Sequence, residues 1–262
     1  MILVIVLIIA GHINTRYPRI RKLDLTIAKT VKGPKDLHIV MASDIHLGVI
    51  VGKNRAAYLV NKINSLNPDI IILDGDLVDE DLAPVIRQNL GESLKALKAK
   101  LGVWAITGNH EYIGGVIPAV DYLVAHGIKF LRDSSVLIDD RFYLVGREDR
   151  DKPRFTGQPR KTLEVLMKDV DRSYPVILLD HQPFNLSNAV AQGADLQLSG
   201  HTHHGQLFPL NFITDAIYEL SYGYKKIGQT HFYVSSGFGT WGPPMRIGMR
   251  PEIVDIRLHF AK

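Results

Sequence analysis

Leu198-Ser199-Gly200-His201-Thr202-His203-His204-Gly205 sets three histidines in a glycine-flanked turn directly after a short apolar run. Packing does not call for imidazoles in that arrangement, whereas a shared electrophile does. The same pattern recurs upstream at Ser43-Asp44-Ile45-His46, Gly75-Asp76, Gly108-Asn109-His110-Glu111 and Asp180-His181. The runs that precede these clusters are Leu37 to Ala42, Ile70 to Leu73, Gly102 to Ile106, Val176 to Leu179 and Leu196 to Leu198, and each has strand length. Ligands of open α/β sheets bind beyond the carboxyl ends of strands. The pattern therefore puts Asp44, His46, Asp76, Asn109, His181, His201 and His203 on one rim. The i,i+2 pairs Asp44/His46 and His201/His203 can each bend toward one point in a turn that leaves a strand.

The intervening segments set the fold class. Lys53 to Leu66 has helical spacing, with Ala56, Leu59, Val60, Ile63 and Leu66 on one side, and Asn67-Pro68 stops it. Val85 to Lys98 reads as one helix with Leu90, Leu94 and Leu97 inward, and Ile117 to His126 as another, ended by Gly127. The rhythm then changes to short strands at Phe130-Leu131, Ser135 to Ile138 and Phe142 to Gly146, with Asp139-Asp140 as a hairpin turn. Arg147 to Arg160 reads as a loop, and Lys161 to Val170 and Asn185 to Ala191 as short helices. The late strands are Thr230 to Ser235 and Ile253 to Phe260. Strand–helix alternation interrupted by short strands predicts an α/β domain of two sheets packed together. No long linker, repeat or low-complexity tract divides it.

Composition narrows the chemistry. The 262 residues are 46% apolar and 22% charged, ordinary for a globular chain, and the formal charge of +4 is no nucleic-acid signature. There is no cysteine, which excludes disulfides and thiolate metal sites. Any metal must be held by His, Asp, Glu or Asn. Such mixed donors suit Mn²⁺, Fe²⁺ or Zn²⁺ better than Mg²⁺ or Ca²⁺. Seven ligands are too many for one ion, but two ions sharing a carboxylate would use them all. A pair about 3.5–4 Å apart activates a hydroxide and clamps phosphoryl oxygens.

On these residues the chain resembles the calcineurin-like metallophosphoesterases. Their motifs D-x-H, G-D-x-x-D, G-N-H-[DE], a lone H and G-H-x-H stand here in family order. They are Asp44-Ile45-His46, Gly75-Asp76-Leu77-Val78-Asp79, Gly108-Asn109-His110-Glu111, His181 and Gly200-His201-Thr202-His203. The resemblance runs from about Leu37 to the C-terminus. It implies a four-layer α/β/β/α sandwich of two mixed sheets flanked by helices. It also implies two divalent ions, with Mn²⁺ preferred. One would be held by Asp44, His46, Asp76 and His203, the other by Asp76, Asn109, His181 and His201, with Asp76 bridging. His110 would serve the leaving group as proton donor, oriented and kept protonated by Asp79. The implied reaction is in-line hydrolysis by a metal-bridging hydroxide, without a phosphoenzyme.

The protein-phosphatase branch continues its second motif with Arg-Gly, where this chain has Glu80-Asp81, so that branch is disfavoured. The layout is most similar to a small bacterial branch of membrane-associated phosphodiesterases and relatives of UDP-2,3-diacylglucosamine hydrolase. The expected function is hydrolysis of a phosphodiester or pyrophosphate, with a lipid-linked substrate in view. The alternatives are a phosphomonoesterase for a small metabolite, or a non-catalytic metal-bearing scaffold. No nucleic acid and no obligate protein partner is expected, and the location is cytoplasmic or membrane-associated.

Residues 31–262 form the expected phosphoesterase domain, and residues 1–30 an N-terminal segment with an edge strand at Leu23 to Ala28. Met1 to Ala10 is wholly apolar but half the roughly 20 residues a membrane helix needs. A buried strand and the end of a membrane helix fit it equally. Arg16, Arg19, Arg21 and Lys22 suit an anionic membrane face or a solvated surface. Phe208 to Lys226 is an aromatic insertion that either receives a lipid tail or packs peripherally. Asp74 and Asp180 are read as structural, Glu111 as a local hydrogen-bond partner and His204 as surplus. His12, His38, His126, His231 and His259 are structural or surface residues. Arg147-Glu148-Asp149-Arg150 reads as a solvated charged face rather than a substrate contact. Lys53, Asn54 and Arg55 either attract phosphate or begin a helix.

Overall fold

The computed structural model describes residues 1–261. Its strands in chain order are β1 (Arg19–Thr30), β2 (Asp36–Ala42), β3 (Ile70–Asp74), β4 (Val103–Ile106), β5 (Lys129–Phe130) and β6 (Ser134–Ile138), then β7 (Phe142–Gly146), β8 (Val176–Leu179), β9 (Leu196–Ser199), β10 (Gly223–Ile227), β11 (Thr230–Val234) and β12 (Glu252–Ala261). Its helices are α1 (Ile2–Arg16), α2 (Lys53–Ser65), α3 (Leu82–Arg87), α4 (Leu90–Lys95) and α5 (Asn109–Gly114), then α6 (Val116–Ala125), α7 (Lys152–Thr156), α8 (Leu163–Leu166), α9 (Leu186–Ala191) and α10 (Asn211–Ile217).

Two mixed six-stranded sheets result, in the orders β1-β12-β2-β3-β4-β5 and β10-β11-β9-β8-β7-β6. In the first, β2, β3 and β4 run parallel, as do β7, β8, β9 and β11 in the second. Strand alternation builds the layers. Leu37, Ile39, Met41, Ile70 and Ile72 face Leu144, Ile177, Leu179, Leu196 and Leu198 between the sheets. Their neighbours Val40, Ala42, Ile71 and Leu73 point the other way, onto α2 and α4 through Leu59, Ile63, Leu90 and Leu94. Val176, Leu178 and Phe232 likewise meet Leu163, Leu166 and Leu186 on the far side. The outcome is the expected α/β/β/α sandwich, and the C-terminal ends of β2, β3, β4, β8 and β9 meet at one rim.

Four local readings change. Met1 to Ala10 is no strand: it lies in α1, whose backbone groups bond to one another where no neighbouring strand could satisfy them. Val85 to Lys98 is two helices, because Asn89 between α3 and α4 takes a left-handed φ of 52°. Arg147 to Arg160 contains α7, and Lys161 to Val170 shrinks to α8. The insertion at Phe208 to Lys226 holds α10 and also β10, which pairs antiparallel with β11. Among the described residues, no helix is long and apolar enough to cross a membrane.

Candidate metal centre

Each site residue leaves its strand through a sharp turn. Asp44, His46, Asp76, His201 and His203 all have positive φ, between 47° and 69°. Left-handed backbone costs a non-glycine residue about 1–2 kcal/mol, and so many in one place mark a site held against its local preference. Glycines make room beside them. A Cβ at Gly108 would strike the Asp76 carboxylate, and one at Gly200 would strike that of Asp44.

The turn after β3 is tied down by Glu111, in the first turn of α5. Its buried carboxylate accepts the amides of Asp76, Leu77, Val78 and Gly108 at 2.7–3.1 Å. Burial, reinforced by the charge of Asp76, pushes the Glu111 carboxyl up to about 7 against those amides. Glu111 is thus the local hydrogen-bond partner that its position suggests.

The predicted donors gather in two adjoining groups. In one, His46 Nε2 lies 3.1 Å from His203 Nε2, which is 3.3 Å from Asp44 Oδ1. In the other, His181 Nε2 lies 3.0 Å from Asp76 Oδ2, and His201 Nδ1 lies 2.9 Å from Asn109 Oδ1. His181 Nε2 is also 3.9 Å from Asp44 Oδ1, which joins the groups. Within each histidine–carboxylate triad the ligand atoms all lie within 4.8 Å of one another.

Tautomers follow from the outer contacts. His181 Nδ1–H donates to the Asp74 carbonyl at 2.7 Å, leaving the Nε2 lone pair facing the cluster. Burial disfavours the charged form of His201 and His203 and holds both at about 4. Burial works against ionised Asp44 and Asp76 too, but their close contacts with His203 and His181 outweigh it and hold both carboxyls well below the usual range. Asp44 Oδ2 and His181 Nε2 are buried without a hydrogen-bond partner. Orphaned buried groups cost about 1–3 kcal/mol each. Unpartnered carboxylate and imidazole atoms converging on one space fit divalent cations.

Asp79 stands beside this cluster, its Oδ1 3.3 Å from both His46 Nδ1 and His110 Nδ1. Burial lowers the His110 pKa, but the bond to Asp79 and the charges of Asp76 and Asp79 overcome it, lifting His110 to about 9. Asp74 accepts from His181 only through its backbone, and Asp180 is held by Arg147 and Arg160 at 2.6 and 2.9 Å. His204 turns away to Ser221 Oγ at 2.8 Å, and Ser221 in turn donates to Asp215 in α10. The other histidines bond locally: His12 to Pro244, His38 to Asp255, His126 to Tyr122, His231 to Tyr224 and His259 to Asp36.

One surface reading is corrected and one open choice is decided. Arg147, Glu148 and Asp149 are buried rather than solvated, because they brace β7 against α5 and β8. Arg150 alone reaches out, stacked 3.9 Å from the Phe184 ring centroid. Lys53, Asn54 and Arg55 open α2, and Arg55 donates to the Thr15 and Arg16 carbonyls instead of facing the cluster.

Sequence reasoning missed Arg246. Its fully buried guanidinium donates to the Ser236 and Gly239 carbonyls at 2.6 Å and reaches His203 Nδ1 at 3.0 Å. No spacing relation connected it to the histidine turn. A cavity of about 380 Å³ lies above the cluster, walled in part by the aromatic insertion that the sequence singles out. Asp76, Asn109, His110 and His201 line its floor, and Leu210, Ile213, Ile217, Tyr218 and Trp241 its sides.

Residues 37–205 match the family described as calcineurin-like phosphoesterase. The chain belongs to that family. The calcineurin-like phosphoesterases are metal-dependent hydrolases built on a dinuclear divalent centre, and this chain carries their domain. An uncharacterized metallophosphoesterase of Aquifex aeolicus is 34% identical over 95% of this chain and 94% of its own length. A transmembrane protein with metallophosphoesterase domain of Danio rerio is 32% identical over 100% of this chain, which spans 62% of that relative's length. Among solved structures, the NAD nucleotidase of Haemophilus influenzae shares the fold at a TM-score of 0.51 and 14% identity, over 78% of this chain and 45% of its own.

Proposed function

We propose that the chain hydrolyses a phosphodiester or pyrophosphate, with residues 31–262 as the catalytic domain and residues 1–30 adding α1 and the edge strand β1. One divalent ion would be held by Asp44, His46, Asp76 and His203, the other by Asp76, Asn109, His181 and His201. Mn²⁺ is preferred here from the family resemblance, and the mixed donor set accepts Fe²⁺ or Zn²⁺ as well. When bound, the pair supplies Lewis acidity and a nucleophile at neutral pH.

The residues themselves supply the rest. His110 lines the cavity beside Asp76 and carries a proton that Asp79 secures. It is therefore the acid for the departing oxygen, and Asp79 is its positioning residue. Asp76 accepts the His110 backbone amide at 2.9 Å, which fixes acid and carboxylate relative to each other.

The observation that carries the diester reading is the cavity lining. No Lys or Arg is among its residues to balance the second charge of a terminal phosphate, while its sides are apolar. A phosphate bearing a second, apolar substituent fits that wall, as in a lipid-linked diester of the UDP-2,3-diacylglucosamine hydrolase-like branch. The test is His110→Asn. We expect about a hundredfold loss of rate on a phenyl diester. The loss should be much smaller on the p-nitrophenyl diester, whose leaving group departs without a proton. Equal losses on both would remove His110 from the acid role.

A further inference from the structure

Large exposed apolar side chains gather at one end of the molecule. From Ile2 to Ala10, α1 is apolar on every side, and each residue from Ile2 to Ile9 exposes at least 42% of its surface. A second exposed set lies on and before α10, with Phe208, Phe212, Ile213 and Ile217. One strap, residues 241–249, holds both. Arg246 N donates to the Gly11 carbonyl at 3.0 Å, and Asn14 Nδ2 donates to the Arg246 and Met249 carbonyls. On its other side, Phe208 N donates to the Ile247 carbonyl at 2.8 Å, and Ile247 N to that of Gln206. Trp241, at the start of the strap, is exposed and also lines the cavity over the metal cluster. α10 and Trp241 therefore wall the cavity and also present bare apolar surface.

The charges around this end say what covers it. Residues 1–23 contain Arg16, Arg19, Arg21 and Lys22 and no Asp or Glu. Arg19 N bonds to the Pro251 carbonyl, which brings exposed Arg250 beside exposed Arg19 at the foot of α1. A helix apolar around its whole circumference suits hydrocarbon on all sides rather than a single protein groove. A basic collar below it suits anionic headgroups. At about 1.5 Å per residue the apolar stretch from Ile2 to Ala10 is roughly 13 Å long, enough to enter a hydrocarbon layer of roughly 30 Å.

We propose that this end docks on an anionic phospholipid bilayer, with α1 in the acyl region and α10 and Trp241 at headgroup level. The metal cluster then draws a membrane-resident phosphoester through the cavity mouth. That last step rests on the phosphoesterase reading above, whereas the docking does not.

The test is flotation of the full chain with phosphatidylcholine vesicles, with and without phosphatidylglycerol. It is run alongside hydrolysis of bis-p-nitrophenyl phosphate in water. The protein should float with the anionic vesicles. The pair Ile5→Asp and Ile8→Asp should cut the bound fraction at least tenfold, and Phe212→Asp severalfold, with the aqueous rate unchanged in each. In a Trp104→Phe background, Trp241 emission should shift to the blue on vesicle addition. Failure to float, flotation unaffected by the α1 pair, or an unshifted Trp241 would each overturn the proposal. So would self-association in place of vesicle binding, lost in the α1 pair, which would assign the face to a second copy of the chain. Flotation without any hydrolysis would leave the docking standing and remove the phosphoesterase reading.

Discussion

Glu111 holds the amides of Asp76, Leu77, Val78 and Gly108 in one carboxylate, so the position of the central Asp76 depends on a residue that is no ligand. Glu111→Gln replaces one acceptor oxygen by a donor and leaves amides unpaired. It should cost about 2 kcal/mol in urea unfolding and weaken Mn²⁺ binding in a titration. Arg246→Met leaves the Ser236 and Gly239 carbonyls without their donor, and a similar loss of about 2 kcal/mol is expected. Asp149 gives a pH prediction. Burial pushes its carboxyl up to about 7, and the nearby His181 and the bond from the Asp151 amide only partly oppose this. A raised folded-state pKa means that its contribution is fully present below the ordinary carboxylate range and is lost as pH rises through about 7. Asp149→Asn should therefore gain stability relative to the parent between pH 5 and 8, read from melting temperatures. At this scale the sequence announced its donors, because Asp, His and Asn at strand ends are rarely needed for packing. It could not announce Arg246, which reaches His203 from a strap far along the chain.

Elements were legible where one physical cause set them. β2, β3, β8 and β9 are continuous apolar runs because both faces are buried, and α2 shows its inward stripe directly. Readings failed where local and tertiary causes competed. Eight consecutive β-branched and leucine residues favour a strand by propensity, yet residues 2–9 form a helix, since no strand partner lies beside them. Val85 in α3 and Leu90 and Leu94 in α4 enter one core, so the apolar stripe runs on across the break that Asn89 makes. The hairpin between β6 and β7 was readable from Asp139-Asp140, and both residues have positive φ, 53° and 49°. A turn with two successive left-handed residues prefers glycine at the second. Asp140→Gly should raise stability by about 1 kcal/mol, measured by chemical denaturation.

For the whole molecule, the sandwich is what assembles the centre. Asp44, Asp76 and Asn109 follow strands of one sheet, and His181, His201 and His203 follow strands of the other. Cations bound across that seam are bound by the folded state alone, so they stabilise it by mass action, by about 2.7 kcal/mol at a hundred times the dissociation constant. Chelation should lower the melting temperature by about 6 °C or more, and Mn²⁺ should restore it. The change of rhythm after β5 revealed the second sheet. The exposed end formed by α1, α10 and Trp241 was not readable, since it depends on which distant segments the strap brings together.

The central claim is that paired cations on these seven side chains hydrolyse a phosphodiester. The direct measurement is the rate of stripped and Mn²⁺-reloaded protein on bis-p-nitrophenyl phosphate and on p-nitrophenyl phosphate. The account predicts Mn²⁺-dependent turnover that is faster on the diester. Faster turnover of the monoester, or no turnover of either ester with two Mn²⁺ bound per chain, would contradict it.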